Sequence, residues 1–119
     1  MRRFTIRSLA AFAVVAIAAL SLVQVASARA ATTVQVSGKE FSFKLSTKSI
    51  AKPGTVTFNF KNAGTMLHDF SINGKTTPLT RPGKTAKLVV TFKKKGSYRY
   101  LCTVPGHAAA GMRGVFTVR

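Results

Sequence analysis

From Thr32 to the C-terminus, apolar and β-branched residues alternate with polar ones at a period of two, and no stretch carries the 3.6-residue spacing of an amphipathic helix. Val34 and Val36 share one face of a first strand. Phe41, Phe43 and Leu45 share a face of a second, and Val56, Phe58 and Phe60 a face of a third, with Pro53-Gly54 between these two. His68, Phe70 and Ile72 then alternate with Asp69, Ser71 and Asn73 as far as an Asn73-Gly74 turn, which groups His68 with the inward apolar residues. Beyond the Arg81-Pro82-Gly83 turn come Leu88, Val90 and Phe92, a charged hairpin tip at Lys93-Lys94-Lys95-Gly96, and an inward face of Tyr98, Tyr100 and Cys102. Phe116 and Val118 form a last strand after a loop from Thr103 to Met112 that holds Pro105, Gly106 and Gly111. This pattern predicts an all-β chain, an antiparallel Greek-key β-sandwich of about seven strands.

Residues 1–30 stand apart from that pattern. A basic start (Arg2, Arg3, Arg7), an apolar run from Leu9 to about Val25, and Ala-x-Ala at Ala26/Ala28 or Ala28/Ala30 are the three parts of a secretory signal. The expected organisation is a signal peptide over 1–30 and one domain over 31–119, released to a periplasm or the medium. The competing reading is an uncleaved membrane anchor, since the apolar run is near the lower length for spanning a bilayer. Ser21, Gln24 and the small residues that follow favour cleavage.

With one cysteine, Cys102, the chain forms no internal disulfide. A domain this small in an exported setting commonly gains stability from a disulfide or a metal, so a metal is the staple that remains. Four of the 19 lysines and arginines fall in the leader, leaving fifteen against Glu40 and Asp69. The basic residues are scattered, without the stacking aromatics of a nucleic-acid surface, and an exported chain rarely meets nucleic acid. The partners expected are proteins with an acidic docking surface, with peripheral contact to an anionic membrane as a further option. The high charge also favours a monomer.

Taken singly, the reactive side chains are ordinary: a lone cysteine at a strand end is most often a small buried hydrophobe, and an inward histidine a hydrogen-bonded core residue. The segment from Cys102 through His107 to Met112 sets a thiolate, an imidazole and a thioether along one loop, and the other histidine of the chain, His68, lies on an inward strand face. Two imidazoles, one thiolate and a more distant thioether suit copper that alternates between Cu(I) and Cu(II). Zinc fits less well, because a structural zinc site closes its tetrahedron with further thiolates or histidines. Met66, two residues before His68, is a second sulfur that chemistry alone does not exclude.

These residues resemble the cupredoxin family, the small blue copper proteins, over nearly all of residues 31–119. Cys102-Thr103-Val104-Pro105-Gly106-His107 is similar to the azurin loop, and the spacing from His107 to Met112 is similar to that of rusticyanin. The resemblance implies His68, Cys102, His107 and Met112 as metal ligands, one copper ion, and outer-sphere transfer of one electron without enzymatic turnover. It also implies that the edge of His107 is the electron exit, within a flat apolar rim of Leu67, Pro105 and Ala108 to Ala110. The family commonly has asparagine after the upstream histidine. Here Asp69 stands in that place, able to accept bonds from the backbone or hydroxyl of Thr103 while adding negative charge that favours Cu(II). The alternative expectation is a copper-binding or copper-delivery protein that uses the same ligands without redox cycling.

Overall fold

The computed structural model describes Ser21 and residues 32–119; apart from Ser21, the expected leader lies outside the described residues. Among the described residues nine strands form: β1 (Thr32–Lys39), β2 (Ser42–Leu45), β3 (Ser49–Ile50), β4 (Gly54–Asn62), β5 (Ser71–Ile72), β6 (Lys75–Thr76), β7 (Thr85–Phe92), β8 (Gly96–Leu101) and β9 (Arg113–Val118). They assemble into a four-stranded sheet, β2-β1-β4-β7, and a five-stranded one, β3-β9-β8-β5-β6. The two-layered all-β sandwich expected from the alternation is therefore present. Its pairings are antiparallel except β1 with β4 and β3 with β9, which run parallel. Among the described residues no helix is long and apolar enough to cross a membrane.

The alternation places one apolar face of each sheet inward. Val34, Val36, Val56, Phe58, Phe60, Val90 and Phe92 from one sheet meet Ile72, Tyr100, Phe116 and Val118 from the other, together with Phe70 just ahead of β5. At the centre Phe58 lies 5.2 Å from Phe70 and 5.4 Å from Phe116 between ring centroids. Offset and edge-on aromatic pairs at this range contribute beyond their buried area. The Asn73-Gly74 turn joins β5 to β6 with both residues at positive φ, as that dipeptide favours.

Two expectations change. Lys93 to Lys95 do not form a hairpin tip, because β7 and β8 lie in different sheets and these lysines span the corner between them. Phe41 is not a core residue. It sits in the turn before β2 and is 40% exposed, while Phe43 keeps the inward place and packs against Phe60, Phe70 and Tyr100.

At one end of the sandwich three connections gather: the β1–β2 turn, the segment from Ala63 to Phe70 that crosses between sheets, and the β8–β9 loop. Asn62, fully buried at the end of β4, anchors the middle one. Its amide donates to the carbonyls of Met66 (2.7 Å) and Thr80 (2.8 Å), and its Oδ1 accepts from the Gly64 N–H (2.9 Å). At roughly 1 kcal/mol net for each such bond, Asn62→Ala is expected to lower the unfolding free energy by about 2–3 kcal/mol. Urea titration of the two proteins measures this, and a difference within error would show that the segment is held by other contacts.

Candidate metal centre

His68 reaches the site from the crossing segment, where its backbone N–H and carbonyl exchange bonds with Thr80 at 3.2 and 2.8 Å. The bridge fixes the backbone, and the imidazole turns inward, where it is fully buried. Cys102 follows directly on β8 and is 1% exposed. The loop after it is closed at its base, since the Cys102 N–H donates to the Met112 carbonyl and the Met112 N–H to that of His107, both at 3.1 Å.

Val104 to His107 make a turn, with the His107 N–H donating to the Val104 carbonyl at 3.1 Å and Gly106 at φ 81°. Proline second and a positive-φ glycine third is the type II pattern. Gly111, at φ 122°, lies so close to the β1–β2 turn that a Cβ there would come 3.1 Å from the Phe41 carbonyl oxygen. The loop is thereby folded back on itself, which brings His107 beside Cys102.

Three ligand atoms converge as a result. His68 Nδ1 and His107 Nδ1 are 3.1 Å apart, and Cys102 Sγ is 3.9 Å from the first and 3.6 Å from the second. The circle through them has a radius of about 2.1 Å, close to the bond length of a first-row metal to nitrogen or sulfur. A single ion fits at bonding distance from all three, and among the described residues these two histidines and the cysteine are the one group of possible metal ligands with such convergence.

Met112 is fully buried at the closing end of the loop, its methyl group directed at β1, where a Cβ on Gly38 would lie 3.1 Å from it. Met66 is 44% exposed. Of the two sulfurs, the structure draws the first into the interior and leaves the second at the surface.

The charge around the sulfur is arranged by Asp69, which is buried at 3% exposure although strand alternation places it in the outward set. Its carboxylate turns inward to accept the Thr103 N–H at 2.7 Å and the Thr103 hydroxyl, the two bonds expected of it. This ties the His68 segment to the Cys102 loop. Burial pushes the Cys102 thiol up, opposed by the backbone N–H groups of Asp69 and Val104 that favour the thiolate, while the nearby Asp69 carboxylate adds to the rise. A cation is what this thiol lacks, and a bound metal supplies it by replacing the proton.

Sequence reasoning missed Phe41 and Glu40. The Phe41 ring meets His107 edge-on, 5.2 Å between centroids. Glu40 Oε1 lies 2.8 Å from His68 Nε2, the nitrogen on the far side of the ring from the cluster. That oxygen also accepts the N–H of Met66 at 2.8 Å and of Thr65 at 2.9 Å. Both residues sit in a turn whose approach to the site is a matter of sheet packing, and the one available signal was that Glu40 is one of only two acidic residues.

Comparison with known proteins agrees with the donor set. The profile of the family described as copper binding proteins, plastocyanin/azurin family, matches residues 25–119. Over 41 residues the chain is 46% identical to the copper-resistant cuproprotein CopI of Pseudomonas aeruginosa, a stretch that is 34% of this chain and 23% of that protein. The chain thus matches less than a quarter of this relative's length. Among solved structures, the dithionite-reduced auracyanin of Roseiflexus castenholzii has a TM-score of 0.65 at 24% identity, covering 76% of this chain and 98% of that one. Auracyanin A, a blue copper protein of Chloroflexus aurantiacus, has a TM-score of 0.62 at 22% identity, covering 76% and 100%. At these identities the structural likeness speaks for the fold. The chain belongs to the plastocyanin/azurin family of copper-binding proteins, and its cofactor is copper.

The Met66 N–H foremost, then the His68 side chain and the Thr65 N–H, hold the Glu40 carboxyl down from its ordinary 4.5 to about 2 against a smaller opposing effect of burial. Because the folded value is the lower one, its contribution to stability is present above the ordinary value and is lost as pH falls through about 2. The apoprotein's unfolding free energy is expected to decline between those limits. Denaturant titrations at stepped pH measure this, with Glu40→Gln expected to flatten that part of the profile.

Proposed function

We propose that this family member is an exported mononuclear type 1 copper protein that carries single electrons, held by His68, Cys102 and His107 with Met112 as the fourth, weaker donor. The observation that carries the reading is the convergence of two Nδ1 atoms and one Sγ on a single point within bonding distance. When bound, copper supplies a couple between two oxidation states one electron apart. The chain supplies the rest: a thiolate stabilised by two backbone N–H groups, the His68 imidazole fixed from behind by Glu40, the His107 imidazole packed against Phe41, and a shell that excludes water.

Burial favours an electron carrier over an enzyme. All four proposed ligands are at most 4% exposed, and both histidines of the chain are engaged, so no open position remains for a substrate. The exit is assigned to His107, whose ring carries the half-exposed Phe41 on its edge. Leu67, Pro105, Ala109 and Ala110 are exposed around it and supply the apolar rim for brief docking. A groove lined by Arg99, Leu101, Ala108 and Arg113 sets two guanidinium groups beside this loop, suited to an acidic protein partner. Export rests on the leader-like residues 1–30.

Copper binding or delivery without redox cycling is the second reading, favoured by the partial likeness to a copper-resistance protein. The two readings differ in how firmly the metal is kept. An electron carrier retains copper through repeated reduction and oxidation in the presence of a chelator, whereas a delivery protein surrenders it.

Loading residues 31–119 with Cu(II) is expected to produce an intense thiolate-to-copper absorption band, and Cys102→Ser to abolish it and to lower the melting temperature of the loaded form. A loaded parent without that band would end the type 1 reading. Electron exchange with an acidic redox protein is expected to slow as ionic strength rises. Stopped-flow rates over a salt series measure this, and a flat dependence would remove the steering role of the basic surface.

A further inference from the structure

Glu40 and Asp69 are the only acidic side chains in a chain with 19 lysines and arginines, and both are committed to the ligand-bearing segments. Among the described residues the side-chain partner of Glu40 is His68, with no lysine or arginine in that place. Its Oε1 stands 2.8 Å from Nε2, while Nδ1 of the same ring faces Cys102 and His107. The oxygen is held from the other side by the N–H groups of Thr65 and Met66, in the loop that leads into His68. Gly64 shapes the seat, since a Cβ there would overlap the Glu40 carboxylate, coming within 2.8 Å of its Cδ.

We propose that Glu40 is a positioning residue of the copper centre: its carboxylate holds the Nε2–H of His68, so that Nδ1 presents its lone pair to the cluster, and sets a fixed negative charge behind that ring. The inference rests on the type 1 copper reading above. A carboxylate behind a ligating imidazole fixes its tautomer and orientation and raises its basicity. The charge also favours the more positive oxidation state. The β1–β2 turn, remote from both ligand loops in sequence, thereby becomes a third support of the site. Together with Asp69, next to His68 on the crossing segment, it leaves the centre with two carboxylates in contact with its ligand segments.

The test uses the copper-loaded parent and three variants. Glu40→Gln keeps an acceptor oxygen for the three N–H groups and removes the charge. It is expected to leave the absorption band in place while lowering the ratio of Cu(II) to Cu(I) affinity about tenfold, an upward shift of about 59 mV in reduction potential. Gly64→Ala displaces the carboxylate without deleting it, and Glu40→Ala deletes it. Both are expected to release Cu(I) to a chelator about tenfold faster than the parent. In the Cu(I) form of the parent, nitrogen-15 spectra are expected to show a slowly exchanging proton on His68 Nε2, a measurement that needs no variant to fold. An unchanged potential in Glu40→Gln, or a rapidly exchanging Nε2 proton in the parent, would overturn the proposal while leaving the copper reading intact. A parent without the thiolate-to-copper band would overturn both, and is seen before any variant is compared.

Discussion

Phe58 on β4 packs against Phe70 and Phe116 from the facing sheet, and this contact between the layers determines where the ends of the strands lie. Phe70 is two residues from His68, and Phe116 is four from Met112. The aromatic core is therefore the frame from which the ligand loops project. Interiors of this kind are close-packed and do not yield easily to displacement. A site that must keep nearly the same geometry in two oxidation states benefits from ligands attached to such a frame rather than to free loops.

Upon that frame, hydrogen bonds between segments distant in sequence close the site. Asn62 fixes the entry to His68, Asp69 joins that segment to the Cys102 loop through Thr103, and Glu40 reaches it from the β1–β2 turn. The buried Asn62 and Asp69 are each paired with backbone groups, the condition for burying them at acceptable cost, while the half-buried Glu40 binds two N–H groups at the surface of the same segment. The carboxylates thus serve two ends at once, satisfying the backbone of the ligand segments and setting negative charge near a bound cation. In a chain otherwise so basic, their placement there concentrates the electrostatic contrast of the protein at one end of the sandwich.

Much of the fold was legible because period-two alternation is a local signal with a direct physical meaning: one face of a sheet must be buried. The inward positions of Val34, Val36, Phe58, Phe60, Val90 and Phe116 all follow from it. It failed where the backbone leaves the regular pleat. Phe41 looked like the first inward residue of a strand, but the chain is still turning there and its ring packs on His107 instead. Asp69 looked outward by parity, but β5 does not begin until Ser71, so parity does not govern it and the Thr103 bonds do. The lysines at 93–95 looked like a hairpin tip because the local pattern of a turn is the same whether the next strand pairs with the last or crosses to the other sheet.

By itself the sequence determined the class of fold and the chemistry of the candidate ligands: alternation demands a two-layered sandwich, and two histidines, one cysteine and a loop methionine are a donor set suited to copper. Tertiary structure alone decided that His68, 34 residues before Cys102, meets it within a few ångströms, and that Met112 is buried where Met66 is exposed. It alone brought Glu40 behind His68. The reason is that side-chain type and spacing act along the chain, whereas the distance between two loops is set by how the sheets pack across the core, a quantity to which residues far from either loop contribute.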